Sequence, residues 1–249
     1  MGAGPPAHDL AFEAWMLDRA AEGQPSVLLT SWPGPVVVLG YAQNPREANL
    51  ELCRARGIPV LRRLTGGTGV VHQGDLGVSL ALPASHPWAR GGVTNLYGRF
   101  LDILEPALRA CGSTVERKQD PPRASRIRSP ICFLDQLSDT LLVDGRKAVG
   151  CAQTRRRGAV LIHAAVLLDL DANLVAEVFR VPPESVESGL APAVPGGDAR
   201  TVGRLAASRL AVALDLESAE SPCPPVPPNY LEPYSDSRWA PLITDGISD

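Results

Sequence analysis

Between Cys132 and His163 the chain sets one cysteine and one lysine around a strand–turn–strand pattern: Cys132-Phe-Leu-Asp-Gln, then Val-Asp-Gly-Arg-Lys147-Ala-Val-Gly-Cys-Ala-Gln-Thr, three arginines and an apolar run that ends in His163. A thiolate can hold an acyl group as a thioester, and an ammonium beside it keeps the sulfur ionised. Of the 24 Lys and Arg residues only Lys118 and Lys147 are lysine. Arginine serves almost wherever a plain positive charge is enough, so a lysine kept inside a Gly-rich turn has a chemical reading. Cys151, four residues beyond Lys147, is a second candidate thiol. Taken singly, Cys132 also reads as a small buried hydrophobe and Lys147 as an exposed charge at the start of a strand.

A second cluster precedes this one. Arg62-Arg63-Leu64-Thr65-Gly66-Gly67-Thr68-Gly69 can bring main-chain N–H groups against an anionic or thioester ligand, because glycine lets the backbone touch what it binds. It is not a P-loop, since no Lys-Ser/Thr follows, and its glycine spacing differs from the dinucleotide fingerprint. A purely structural Gly-rich turn is the competing reading. His72 and His163 are each compatible with an ordinary strand position. Arg155-Arg156-Arg157 alone reads as a solvated turn.

The bulk numbers bound the rest. A chain of 249 residues is one large domain or two small ones, long enough to bury a core. A net charge of −3 argues against a nucleic-acid role. No apolar run reaches the length of a membrane span, and the N-terminus lacks the regions of a signal peptide. The five cysteines (53, 111, 132, 151, 223) form no CxxC pair and no zinc spacing with histidine, so metal binding is not expected and a reduced, cytoplasmic setting is the simplest reading.

These residues need elements to position them. Apolar spacing predicts helices over 8–22, 93–111, 172–180, 183–189 and 199–214, and Asn44-Pro45-Arg46-Glu47 starts another that ends at Gly57. Segments 26–31 and 35–40 read as a hairpin around Trp32-Pro33-Gly34. Strands follow at 58–62, 70–72, 76–82, 140–143, 147–153 and 159–170, with Asp144-Gly145 a strong hairpin signal. Segment 120–130 is a Pro/Arg-rich loop. Hairpins between helices give an α+β class, with mixed, largely antiparallel sheets flanked by helices. Residues 1–217 read as the catalytic domain and 218–249 as a Pro-rich extended C-terminal tail.

In combination, Arg62-Arg63-x-Thr-Gly-Gly, Val-x-His72, Val-Asp-Gly-Arg-Lys147-x-x-Gly-x-Ala-Gln-Thr-Arg and His163 resemble the lipoate–protein ligase and octanoyltransferase family, part of the biotin/lipoate ligase superfamily, over roughly residues 8–190. The resemblance implies a biotin/lipoate ligase-like domain whose acyl tunnel is roofed by the Gly-Gly loop. It implies substrate binding by Arg62, Arg63, Thr65, Gly66, Gly67, Thr68, His72, Gly150, Cys151, Ala152, His163 and Ala164. Cys132-Phe ahead of the lysine turn is similar to the cysteine-dependent octanoyltransferase branch of Gram-positive bacteria. There the cysteine carries the acyl chain, the lysine lowers its pKa, and no cofactor is needed.

The implied partners are an acidic acyl carrier protein as donor and a lipoyl domain or glycine-cleavage H-type protein as acceptor. Arg123, Arg126, Arg128 and Arg155, Arg156 and Arg157 would then form a basic docking rim. An ATP- and Mg-dependent lipoate ligase and a non-catalytic acyl-domain binder are the alternatives. Thr68, Gln73, Cys151, Ile162 and Ala164-Ala165 depart from the usual family residues.

Overall fold

The computed structural model describes residues 5–118, 129–131, 140–216 and 224–242. Helix α1 (Pro6–Ala21) opens on a proline, which has no helical donor to lose at that position, and Gly23 leaves it at φ 87°. Strands β1 (Ser26–Thr30) and β2 (Val36–Leu39) follow. The helix expected from Asn44 divides in two. Asn44 caps a 3-10 turn (Pro45–Glu47), Asn49 caps α2 (Leu50–Ala55), and Ala48 between them is extended. Then come β3 (Val60–Arg62), β4 (Val70–His72), β5 (Leu76–Pro83) and α3 (Gly92–Ala110). After β6 (Glu116–Arg117), three strands β7 (Leu141–Val143), β8 (Arg146–Arg156) and β9 (Ala159–Val166) form a meander. Helices α4 (Ala172–Phe179), α5 (Pro183–Gly189), α6 (Ala199–Leu214) and the short α7 (Pro228–Leu231) close the described chain.

Two sheets result. The larger has the order β1-β5-β9-β8-β7-β6 and is antiparallel throughout. The smaller has the order β3-β2-β4, with β2 parallel to β3 and antiparallel to β4. The expected class, α+β with largely antiparallel sheets flanked by helices, is the one observed. The β7–β8 hairpin turns on Asp144 and Gly145 with φ 50° and 75°, and β8–β9 turns on Arg157 and Gly158 with φ 51° and 80°. Positive φ at both central residues is the turn whose twist matches paired strands.

The hairpin expected between segments 26–31 and 35–40 does not form. β1 pairs with β5 in the large sheet, whereas β2 pairs with β3 and β4 in the small one. Trp32 is the reason. It is buried between the sheets and its Nε1–H donates to Asp9 Oδ2 of α1 at 2.8 Å, so the chain crosses from one layer to the other instead of turning back.

Alternation along the strands sorts the core. Val160, Ile162, Ala164 and Val166 of β9, with Val78, Leu80 and Leu82 of β5, face α3 and α6. The α3 stripe expected from sequence, Leu96, Phe100, Leu101, Leu104, Ala107 and Leu108, is the buried face of that helix. On the other face of the sheet Leu28, Ala81 and Leu161 pack on Met16, Leu17 and Ala20 of α1. Both faces are covered, which is why these strands read as nearly continuous apolar runs.

The C-terminal segment corrects an expectation. Residues 224–242 are not an extended tail. Pro228 starts α7, a 3-10 turn follows, and Tyr234 and Ala240 are buried against Ala7, Leu10, Trp32, Val36 and Leu61. Leu242 pairs with Val60 and so covers the outer edge of β3. The prolines forbid regular structure only where they stand, and the aromatic residues beyond them supply a face to bury.

Tyr234→Ala should therefore cost about 3 kcal/mol in a urea titration by opening a cavity under the small sheet. Tyr234→Phe, which loses only a hydroxyl 3.5 Å from the Arg62 carbonyl, should change far less. Equal losses would mean that packing is not what holds the segment.

Candidate active site

The register of the large sheet builds the floor of an internal slot. One row runs Thr30, Gly77, Ala165, Gly150, and the next runs Leu28, Ser79, His163, Ala152. Apart from Leu28, all of these line a cavity with an empty volume of about 510 Å³. Leu10 and Glu13 of α1, Trp32, Val38, Arg63, Val70 and His72 enclose it from the other side. The small residues open the space. At Gly77 a Cβ would collide with the Thr30 hydroxyl.

Cys151 and Ala164 border this slot only through their main chain. They pair with each other and, through Val78, fall on the opposite face, where both pack with the α3/α6 core. A period of two residues puts them there, and it removes Cys151 as a second thiol for the slot.

A buried polar chain crosses one wall. Ser79 Oγ donates to Glu13 Oε1 at 2.6 Å, and His163 Nδ1 lies 3.1 Å from the same oxygen. His163 Nε2 is 2.9 Å from Thr65 Oγ1, which also accepts from Arg63 Nε at 2.9 Å. The Arg63 guanidinium continues to the carbonyls of Gly66 (2.8 Å), Thr68 (2.9 Å) and Val38 (3.3 Å). Burial pushes the Glu13 carboxyl up, but the facing imidazole of His163, hydrogen bonds from His163 and Ser79, and the charge of Arg63 hold it below its ordinary value. Glu13 and Ser79 were not singled out from sequence. A signal existed, because Glu13 falls on the buried stripe of α1 between Leu10 and Leu17.

The Gly-rich loop is shaped by these bonds. Tyr41 N–H takes the Thr65 carbonyl at 2.9 Å, Arg63 takes those of Gly66 and Thr68, and the Gly67 carbonyl lies against Gly40, where a Cβ would collide with it. Among the described residues no hydrogen bond uses the N–H of Gly66, Gly67 or Thr68. These three residues face an open cleft of about 1410 Å³ shared with Tyr41, Gln43, Arg46, Pro130, Thr154 and Arg180.

The segment 129–131 is pinned beside the loop. Gly69 N–H donates to the Pro130 carbonyl at 3.0 Å, Gln43 Nε2 donates to the same oxygen at 3.0 Å, and Ile131 bridges to Gly69 in parallel. Gln43 is a residue that sequence reading missed. The next residue in the chain, Cys132, lies outside the described residues, as do Arg123, Arg126 and Arg128. Lys147 is 4% exposed, and its main chain is clamped between strands and Leu190–Ala191. It stands three residues before Gly150 on β8.

The remaining candidates divide. His72 lines the slot, edge-on to Trp32 with 5.0 Å between ring centroids, and its Nδ1 is 3.1 Å from Asp75 Oδ2. Asp75, three residues on, is the acid beside His72. Arg62 borders neither cavity. It donates to the carbonyls of Gly40, Tyr41, Gln43 and Arg238, so it ties the loop after β2 to the C-terminal segment. Arg155 is spent on the carbonyls of Ala89 and Gly92, and Arg157 on Asp18. Among the described residues no group of three or more His, Cys, Asp or Glu side chains is placed to hold a metal ion, and no helix is long and apolar enough to cross a membrane.

The slot and the Gly-rich loop beside the 129–131 segment together form the candidate site. Residues 5–201 match the lipoyl protein ligase A/B catalytic domain, and the chain belongs to that family. It is 36% identical over 197 residues to the octanoyltransferase LipM of Geobacillus kaustophilus, covering 75% of this chain and 70% of that protein. It is 33% identical over 198 residues to the LipM of Anoxybacillus flavithermus, covering 74% and 69%. In fold it matches a lipoate-protein ligase A solved with ATP, with a TM-score of 0.74 at 21% identity over 95% of this chain and 94% of the other. A bipartite lipoate protein ligase from Thermoplasma acidophilum, studied with its E2 lipoyl domain, matches at 0.74 and 20% identity over 95% and 91%.

Two outcomes are expected. A Cβ at Gly40 should push the Gly67 carbonyl aside, so Gly40→Ala should cost about 1–3 kcal/mol and shift the amide resonances of 65–68. Unchanged resonances would show that Gly40 does not seat the loop. The second concerns Asp9, whose carboxyl is raised from 3.8 to about 6, chiefly by burial and also by Glu13, against the lowering effect of the Trp32 hydrogen bond. The folded protein keeps that proton where the unfolded chain has lost it, so this group makes stability fall as pH rises from about 4 to 6 and level off above. Asp9→Asn keeps an acceptor for Trp32 and should gain about 2–3 kcal/mol at neutral pH and nothing below about pH 4. A gain that is the same at both pH values would contradict this account.

Proposed function

We propose that this chain is a cysteine-dependent octanoyltransferase that moves an acyl group from a carrier-protein thioester to a lysine of a lipoyl-type domain. The observation that carries the reading is the clamp of Ile131, the residue before Cys132 in sequence, on Gly69 at the edge of a loop whose Gly66, Gly67 and Thr68 N–H groups bond to none of the described residues. The names of the relatives agree with it. The slot beneath, floored by Gly77, Gly150, Ala152 and Ala165, suits an unbranched alkyl chain.

The chemistry balances without ATP. The Cys132 thiolate attacks the thioester carbonyl, the carrier's thiol leaves and takes a proton, and the acyl group rests on sulfur. The neutral ε-amine of the acceptor lysine then attacks that carbonyl, and an amide forms as the cysteine departs. Each attack creates an oxyanion, which the N–H groups of the Gly-rich loop are turned to receive. Lys147 keeps the sulfur ionised. Lipoyl domains or H-type proteins serve as acceptors and an acidic acyl carrier protein as donor. Arg46 and Arg180, exposed on the cleft that the loop faces, offer positive charge to such partners.

Incubation with octanoyl carrier protein and no ATP should give a covalent octanoyl adduct in the intact mass of the wild-type chain. Cys132→Ser should form none and should transfer more slowly, on the order of 10³-fold or more. Full activity in that variant, or product from free lipoate only when ATP and Mg are supplied, would overturn the proposal.

A further inference from the structure

The geometry points to Glu13 as a positioning residue that, through His163 and Thr65, holds Arg63 on the Gly-rich loop and so sets the direction of the Gly67 N–H. This deepens the transferase reading and rests on it for its kinetic consequence.

The argument follows the donors and acceptors. Glu13 is 5% exposed, and its Oε1 faces both Ser79 Oγ and His163 Nδ1. A carboxylate can only accept, so Nδ1 carries the hydrogen, and Nε2 of the neutral ring accepts from the Thr65 hydroxyl. Thr65 Oγ1 keeps a lone pair for Arg63 Nε at 2.9 Å. Arg63 is thereby held in the rotamer that reaches the carbonyls of Gly66 and Thr68. The Gly66 carbonyl points inward, so the Gly67 N–H, antiparallel to it across the trans peptide, points out to the cleft, while the Gly69 N–H, antiparallel to the Thr68 carbonyl, meets Pro130. Glu13, Thr65 and Arg63 are buried and His163 is partly so, and with the hydrogen on Nδ1 each link satisfies both neighbours.

A mutant cycle tests this. Glu13→Leu and Thr65→Val should each lower kcat for octanoyl transfer on the order of 10²-fold with KM little changed, because the misplaced donors act on the oxyanion rather than on the chain in the slot. The double variant should be no slower than either single one, since both cut the same relay. Glu13→Gln keeps an oxygen for His163 and Ser79 and should restore most of the rate. Should Glu13→Leu fail to fold, His163→Leu takes its place in the cycle with the same expectation.

Two readouts do not depend on transfer. At pH 8 the nitrogen-15 shifts of His163 should show the hydrogen on Nδ1 in the wild type and lose that preference in Glu13→Leu. The amide signals of Gly66–Thr68 should move alike in Glu13→Leu and Thr65→Val. Losses that multiply in the double variant, losses confined to KM, or an unchanged His163 tautomer would overturn the relay. If the wild type moves no acyl group, the transferase reading fails, and these resonances alone decide whether Glu13 holds the loop.

Discussion

The guanidinium of Arg63 is the point on which the site depends. It is 3% exposed, and its donors meet only main-chain carbonyls and the Thr65 hydroxyl. A buried cation with five N–H groups imposes its own geometry, because any donor left unmatched in a medium of low polarity is expensive. The loop that follows β3 curls back to supply the acceptors. Gly40 is required for the close approach of the Gly67 carbonyl, and Gly67 for its φ of 90°. The countercharge is Glu13, three hydrogen bonds away through Thr65 and His163. One helix, the two sheets and the loop are thus joined by an ionic network that solvent scarcely reaches.

The slot shows how a sheet sorts its residues by parity. Gly150 and Ala152 of β8 and Ala165 of β9 face the slot beside His163 and are small, whereas their neighbours Cys151 and Ala164 face the helical layer. The departures from the usual family residues divide along the same line. Ala165 bears on the slot, and Ile162, Cys151 and Ala164 bear on the core. Gln73, on the turn after β4, accepts from Asp171 N–H at the start of α4, while Asp75 takes the place beside His72.

Local chemistry was readable in the chain, and long-range partnership was not. The α3 stripe, the Asp144-Gly145 turn and the Gly-rich loop each follow from residues adjacent in sequence. Alternation assigned β1 and β2 as strands but said nothing about which sheet each would join, since period two fixes a face and not a neighbour. The arginines illustrate the same limit. Arg62 and Arg63 read as equivalent, yet one ties a loop to the C-terminal segment and the other shapes the site, a difference set by carbonyls far away in sequence. Glu13 was legible only as an acid on an apolar stripe, and its purpose required His163 to be placed opposite. The proline run drew attention away from Tyr234 and Trp239, which decide how that segment packs.

The pairing pattern also bears on how the molecule assembles. The meander of β7, β8 and β9 closes through two short turns, whereas β1 must find β5 across two intervening helical turns and the whole small sheet. Loop closure of that length is an entropic debt settled only once the distant strand is seated. The meander is therefore the natural nucleus, with the amino-terminal helix arriving last and completing the ionic network in the same step. A chain emerging from the ribosome in the usual direction would make β5 early, but Glu13 would wait for its His163 partner until β9 had been synthesised.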